Sequence, residues 1–241
     1  MQKSKPLIGT IITTDLPQVH SQLSLLGYDF LFIDLEHGHV SDSCIRTLIQ
    51  TRSVSCKMFI RISEINERCI KHALDLGCDG LIAPRVENRE EIQTLIEYSY
   101  YPPLGKRSVG FCAANQYGLR FKEYTDHFRP TLLPQIESVK GLEILPELMA
   151  SPEINGIFVG PYDLSMSLGV PSQFESEIFQ KAYESIRTSC RTHQKEFCTF
   201  SSNVQHAQNE MHKGADRIAL GVDTNLLLTV YDNLLKSMVN E

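Results

Sequence analysis

Along the chain, short apolar and β-branched runs alternate with longer stretches in which apolar positions recur every three or four residues. Eight runs of the first kind are Leu7–Ile12, Phe30–Asp34, Lys57–Arg61, Gly80–Ala83, Leu132–Ile136, Gly156–Gly160, Glu196–Phe200 and Arg217–Gly221. They are nearly continuous rather than alternating, the pattern of parallel strands covered by helices outside and packed side chains inside. Helical spacing fills the intervals. Pro17–Leu26 carries Val19, Leu23 and Leu26, while Asn66–Leu76 carries Cys69, Ile70, Ala73, Leu74 and Leu76, with Gly77 as its stop. Glu87–Tyr98, Val139–Met149 and Ile178–His193 read similarly. The last helix, Asn225–Met238, is richer in leucine than one barrel face needs. It reads as a closing barrel helix or as an oligomer contact.

A phrase recurs: an apolar helix end, a glycine, an acidic residue, then a strand. It is written LLGYDFLFID, DLGCDGLIAP and HKGADRIALG. Glycine at the position after a helix and a repeated αβ unit support a barrel or a doubly wound sheet. Neither GxGxxG nor GxxxxGK[ST] follows any strand, which argues against dinucleotide and P-loop folds. Eight strands in 241 residues then predict one (β/α)8 barrel, a TIM barrel, as a single domain over residues 1–241. The long interruption from Tyr100 to Pro130 is expected to be an excursion with short elements of its own, forming an active-site lip.

Composition narrows the partners. A net charge of -6 argues against nucleic acid, which needs a basic face. The seven cysteines include no CxxC pair, so free thiols in a reducing compartment are expected rather than a zinc knuckle or disulfide framework. No apolar run reaches membrane-spanning length and the first residues lack a long apolar core, so a cytoplasmic location without membrane contact is expected.

Catalysis in a barrel sits at the C-terminal ends of the strands. The second strand ends Asp34-Leu35-Glu36-His37-Gly38-His39, the third at Arg61, the fifth in Gln135-Ile136-Glu137, and the sixth in Gly160-Pro161-Tyr162-Asp163. Glu137 and Asp163 come from consecutive strand ends and form a hard oxygen pair suited to Mg²⁺ or Mn²⁺, unless each only caps a helix. Arg61 can hold a carboxylate or stabilise an enolate oxygen, or it can be a structural ion pair to Asp34 or Glu36. His37 has the pKa range for general acid–base work. Gly160-Pro161 opens a helix whose free amides could receive a substrate carboxylate. No lysine stands where a Schiff-base aldolase would need one, so a metal is the better electron sink.

The segments GYDFLFIDLEHG, FIRISEIN, ALDLGCDGLIAPRVEN, YPPLGKRSVG, LLPQIES, INGIFVGPYDLSMSLG and ALGVDTNLL, in this order, resemble the HpcH/HpaI aldolase family over nearly the whole chain. These are class II pyruvate-dependent aldolases acting on 4-hydroxy-2-oxo acids. The resemblance implies Glu137 and Asp163 as ligands of Mg²⁺, Mn²⁺ or Co²⁺, Gln135 as a substrate contact, and the amides of Tyr162 and Asp163 as the carboxylate seat. It implies Arg61 as the group that stabilises the enolate and His37 as the base, assisted by Asp75. Asp75 falls in the last turn of a helix, at the bottom of its own barrel, so it can assist only across a subunit contact. A homo-oligomer, a trimer or hexamer by the resemblance, is therefore expected. Two departures stand out: Ser108, expected to border the mouth, replaces a glycine, and Tyr162 replaces a smaller or amide residue. Rival readings are a CoA-ester lyase of the citrate lyase β-subunit type, a zinc hydrolase using His37 and His39, and a degenerate barrel acting as a binding protein.

Overall fold

All eight expected strands are present, parallel, and joined edge to edge in chain order, with the first hydrogen-bonded to both the second and the last. The computed structural model describes residues 5–239. The strands are β1 (Leu7–Ile12), β2 (Phe30–Asp34), β3 (Lys57–Arg61), β4 (Gly80–Ala83), β5 (Thr131–Ile136), β6 (Gly156–Val159), β7 (Glu196–Ser201) and β8 (Arg217–Val222). The helices are α1 (Pro17–Leu23), α2 (Asp42–Thr51), α3 (Glu67–Leu76), α4 (Arg89–Ser99), α5 (Phe121–His127), α6 (Val139–Ala150), α7 (Pro161–Ser167), α8 (Glu177–Thr192), α9 (Val204–His212) and α10 (Asp223–Val239). The pattern over 17–26 divides into α1 and a 3-10 turn, Ser24–Leu26, and Gly160 ends outside β6 as the N-cap of α7.

Side-chain caps explain where the barrel helices begin. Ser41, Asn66, Asn88, Ser138, Ser176 and Asn203 each accept a hydrogen bond from a backbone amide of the first turn, satisfying a donor the helix leaves free. At the other end, α3 stops at Gly77, whose φ of 103° suits glycine.

Successive side chains of a strand face opposite ways, and this alternation builds the site. In β2, Leu31 and Ile33 pack outward with the helices, whereas Phe30 and Phe32 point into the barrel. The inner core also takes Phe59, Ile82, Leu133, Phe158, Cys198 and Ala219. Its rings meet edge to face, Phe30 with Phe59 at 5.7 Å and Phe32 with Phe158 at 5.2 Å. The inward sequence on β2 runs Phe30, Phe32, Asp34; on β3 it runs Phe59, Arg61; on β5, Leu133, Gln135. One step above the apolar plug, the same alternation delivers polar side chains to the mouth.

The excursion between α4 and β5 is not a lip of its own barrel. It joins the C-terminal end of α4 to the N-terminal end of β5, both on the bottom face, and packs beneath α3. Tyr124 donates to the Leu74 carbonyl, and a Cβ on Gly77 would lie 3.5 Å from Ala114. Ser108 belongs to this segment, so it does not border its own mouth. The chain reaches the bottom before the excursion begins, and topology overrides the expectation.

Helix α10 leaves much of its apolar surface uncovered: Leu228, Tyr231, Leu234, Leu235 and Met238 are all exposed. All seven cysteines are free thiols. Among the described residues, no helix is long and apolar enough to cross a membrane.

Candidate active site

Four polar side chains form a hydrogen-bonded line across the mouth. Arg61 Nε and Nη2 donate to the two oxygens of Asp34 at 2.9 and 2.7 Å. Arg61 Nη1 donates to Gln135 Oε1 at 3.4 Å, and Gln135 Nε2 donates to Glu137 Oε2. Below, the guanidinium sits 5.3 Å over the Phe32 ring. Burial opposes ionisation of Asp34, but the hydrogen bonds and charge of Arg61 outweigh it and hold the carboxyl below its usual range. The structural reading of Arg61 holds on one edge, an ion pair with Asp34, and its remaining nitrogen, Nη1, is the one that donates to Gln135.

Asp34 also shapes the turn after β2 by accepting from the amides of Glu36 and His37 at 3.0 and 3.3 Å. This turn lifts His37 to the rim, where its side chain is exposed. Glu36 Oε2 is buried without a hydrogen-bond partner, 3.2 Å from Arg61 Nε and 3.7 Å from His37 Nε2. Sequence reasoning weighed Glu36 only as a partner for Arg61. Its position between a guanidinium and an imidazole makes it a third acidic group of the mouth, and the run Asp-x-Glu-His at a strand end was the available signal.

Glu137 is buried at 5% exposure. Burial, together with the charges of Asp163 and Glu36, pushes its pKa up to about 7 despite the Gln135 hydrogen bond. Gly160 makes room for it, since a Cβ there would stand 2.6 Å from Glu137 Oε2 and 2.9 Å from Gln135 Nε2. Pro161 starts α7, and Tyr162 and Asp163 occupy its first turn, both exposed at the rim. The Tyr162 ring packs against Phe174 at 5.1 Å and Phe200 at 6.1 Å.

Asp75 stands apart from this group. It lies in the last turn of α3, at the bottom, and is not a free surface aspartate: its Oδ1 accepts from Arg107 Nη2 at 2.8 Å. Arg107 is fully buried among Tyr101, Tyr124 and Phe128, with its guanidinium 4.8 Å from the Tyr101 ring. Nothing in the sequence pattern marked Arg107 as the partner of Asp75.

The donor set fits a hard divalent cation. A carboxylate held above its ordinary range by burial and by nearby negative charge is stabilised in its ionised form by a bound cation. Among the described residues no three His, Cys, Asp or Glu side chains gather as a ready metal cage. The protein's share would then be Glu137 and Asp163, with other positions taken by water or substrate oxygens.

A closed (β/α)8 barrel with carboxylates, guanidinium and imidazole at its C-terminal mouth has the layout of a barrel enzyme. The chain belongs to the HpcH/HpaI aldolase/citrate lyase family, whose model matches residues 9–229, and it is a carbon–carbon lyase. It is 30% identical over 240 residues to a 2-keto-3-deoxy-L-rhamnonate aldolase of Salmonella paratyphi A, covering 98% of this chain and 90% of the relative. An HpcH/HpaI aldolase/citrate lyase family protein from Burkholderia cenocepacia J2315 superposes with a TM-score of 0.91 at 22% identity, covering 97% and 95% of the two chains. The protein CitE from Mycobacterium tuberculosis, in complex with magnesium and acetoacetate, superposes with a TM-score of 0.62 at 14% identity, covering 92% and 87%. At these identities the two structures speak for the fold.

Proposed function

We propose that the protein is a divalent-metal-dependent aldolase. It cleaves the C3–C4 bond of a 4-hydroxy-2-oxo acid to pyruvate, or a related 2-keto acid, and an aldehyde, and it runs the addition in reverse. The observation that carries this reading is the placement of Glu137: buried, within the field of Asp163 and Glu36, and tied through Gln135 to Arg61. Bound by Glu137 and Asp163, Mg²⁺, Mn²⁺ or Co²⁺ supplies Lewis acidity to the keto acid.

The chain's own groups do the rest. The amides of Tyr162 and Asp163 hold the substrate carboxylate, and Gln135 contacts the acid. Arg61 offers Nη1 to the oxygen that becomes negative as the enolate forms. Its other edge is already fixed by Asp34, so little reorganisation is needed. His37 accepts the C4 hydroxyl proton; the C3–C4 electron pair passes toward the C2 carbonyl and the aldehyde departs. Asp75 of a neighbouring copy assists His37. The contact that delivers it also brings the excursion of that copy, through Arg107, against the mouth. A homo-oligomer follows from this arrangement, and the exposed face of α10 is the surface best suited to support it.

Coupled pyruvate detection over a panel of 4-hydroxy-2-oxo acids, with and without Mg²⁺, Mn²⁺ and Co²⁺, tests the proposal. Turnover should vanish in EDTA and in Glu137→Gln and Asp163→Asn. Full activity under any of these conditions removes the metal from the reaction.

A further inference from the structure

Helices α8 and α9 are neighbours around the barrel, yet they are spread apart. The first packs on α6 and β7, the second on β7 and β8, and between them lies a cavity of about 290 Å³. Folded interiors leave few voids larger than a water molecule, because a wall without a neighbour forfeits its contacts. A buried ion pair spaces the helices at one end. Arg187 Nη2 of α8 donates to Glu210 Oε2 of α9 at 2.7 Å, and the Tyr183 hydroxyl donates to the same oxygen at 3.0 Å. Tyr183 is anchored in turn to Thr199 of β7, at 2.7 Å.

Helical spacing explains the lining. Phe179 and Tyr183 share one face of α8, and His206 and Glu210 share one face of α9. The rings of Tyr162, Phe174, Phe179 and Tyr183 succeed one another along the wall at 5.1, 5.3 and 5.4 Å. Tyr162 also packs on Phe200, and these rings close the end nearest the mouth. Asp34, Arg61, Gln135 and Glu137 take no part in the lining, so the cavity is separate from the polar line across the barrel. At the far end Glu210 gives Oε2 to both donors, and among the described residues no donor meets its Oε1. A ring-walled space thus ends at one carboxylate oxygen with acceptor capacity to spare.

We infer that this cavity is a ligand site, apart from the keto-acid site, for a neutral fused-ring aromatic heterocycle whose N–H donates to Glu210 Oε1. A cavity of about 150 Å³ already takes benzene, so this one has room for a second fused ring. The wall offers edge-to-face and stacked contacts to such a ligand. Arg187 already balances the charge of Glu210, so a cation gains little there, whereas a neutral donor satisfies the oxygen without adding charge.

Indole is the probe, titrated into the full chain. The sequence holds no tryptophan, so indole emission excited beyond tyrosine absorption reports the ligand alone. Titration should give a saturable blue shift and a rise in anisotropy. 1-Methylindole, which lacks the donor, should bind at least about tenfold more weakly. Saturating pyruvate with Mg²⁺ should leave the indole affinity within about twofold. Ser202→Phe and Asn209→Phe each fill the cavity from an exposed position. Each should weaken indole at least about tenfold, and the second keeps the test if the first does not fold. Absence of saturable binding, displacement of indole by pyruvate, or unchanged affinity in the folded variants overturns the site. Equal affinity for 1-methylindole overturns recognition through Glu210.

Discussion

Asp34 holds Arg61 by both carboxylate oxygens, at 2.9 and 2.7 Å, and both side chains are largely buried. A buried pair of this kind adds little over an apolar substitute, yet removing one partner is costly because the other charge is stranded. Asp34→Asn should therefore lower unfolding stability by about 3–5 kcal/mol, read from the urea midpoint. Because the pair also aims Nη1 at the mouth, the folded fraction should lose kcat more than it gains KM. A folded Asp34→Asn enzyme with unaltered kcat would show that Arg61 needs no orientation from this carboxylate.

Glu137 should leave a signature in the metal-free protein. Its folded pKa of about 7 lies above the ordinary value of 4.5. Between these two values the folded chain keeps a proton that the unfolded chain releases, so stability falls as pH rises through this window. In EDTA, the thermal midpoint of the wild type should decline more steeply from about pH 4.5 to about pH 7 than that of Glu137→Gln. Adding Mg²⁺ near neutral pH should raise the wild-type midpoint and leave the variant where it was. Matching pH profiles for the two proteins would mean that Glu137 titrates like an exposed carboxylate.

The strand ends could be located in the sequence because parallel strands read as apolar runs broken by polar residues, and the mouth residues are those breaks. Asp34, Arg61, Gln135 and Glu137 were found in this way, and all four meet. Less legible was what joins them. The amide of Gln135 bridging Arg61 to Glu137 depends on three strands brought side by side, and no spacing along one chain encodes it. The region 100–130 failed for another reason. Its composition suggests a loop near a ligand, but whether a loop lies above or below a barrel depends on which ends it joins. The run after α4 starts at the bottom. Arg107 was overlooked for a related reason: a buried guanidinium enclosed by three rings looks, in sequence, like any surface arginine.

Gly160 is required by space rather than by backbone angle. A methyl group there would collide with the Glu137 carboxylate and the Gln135 amide, which have no slack because Gln135 is also bonded to Arg61. Gly160→Ala should retain the fold and lose at least about a hundredfold in kcat/KM, with weaker Mg²⁺ binding by calorimetry. Wild-type metal affinity in this variant would show that Glu137 can turn away without consequence.

In the proposed mechanism His37 serves the hydroxyl of the substrate, not the C3 proton. Its replacement by alanine should depress aldol cleavage far more than deuterium exchange into pyruvate, with cleavage falling roughly a hundredfold or more. Equal losses in the two assays would move the base elsewhere, and Glu36, 3.7 Å from the imidazole, would be the first group to examine.

The separation of Asp75 from His37 makes the last prediction one about assembly. Asp75 is pinned at the bottom of its barrel by a buried arginine, so it cannot swing to its own mouth. An exposed apolar stripe such as that on α10 commonly marks an interface. His37→Ala and Asp75→Ala should each be nearly inactive alone. If the dyad forms between copies, mixing the two variants under conditions that allow subunit exchange should restore activity. Random exchange leaves about a quarter of the contacts with an intact histidine facing an intact aspartate. Replacing Leu228 and Leu235 by aspartate should reduce the assembled mass measured by light scattering and abolish that recovery. If mixing restores nothing while both variants remain assembled, or if Asp75→Ala is fully active, Asp75 does not act across the contact and its pair with Arg107 is structural alone.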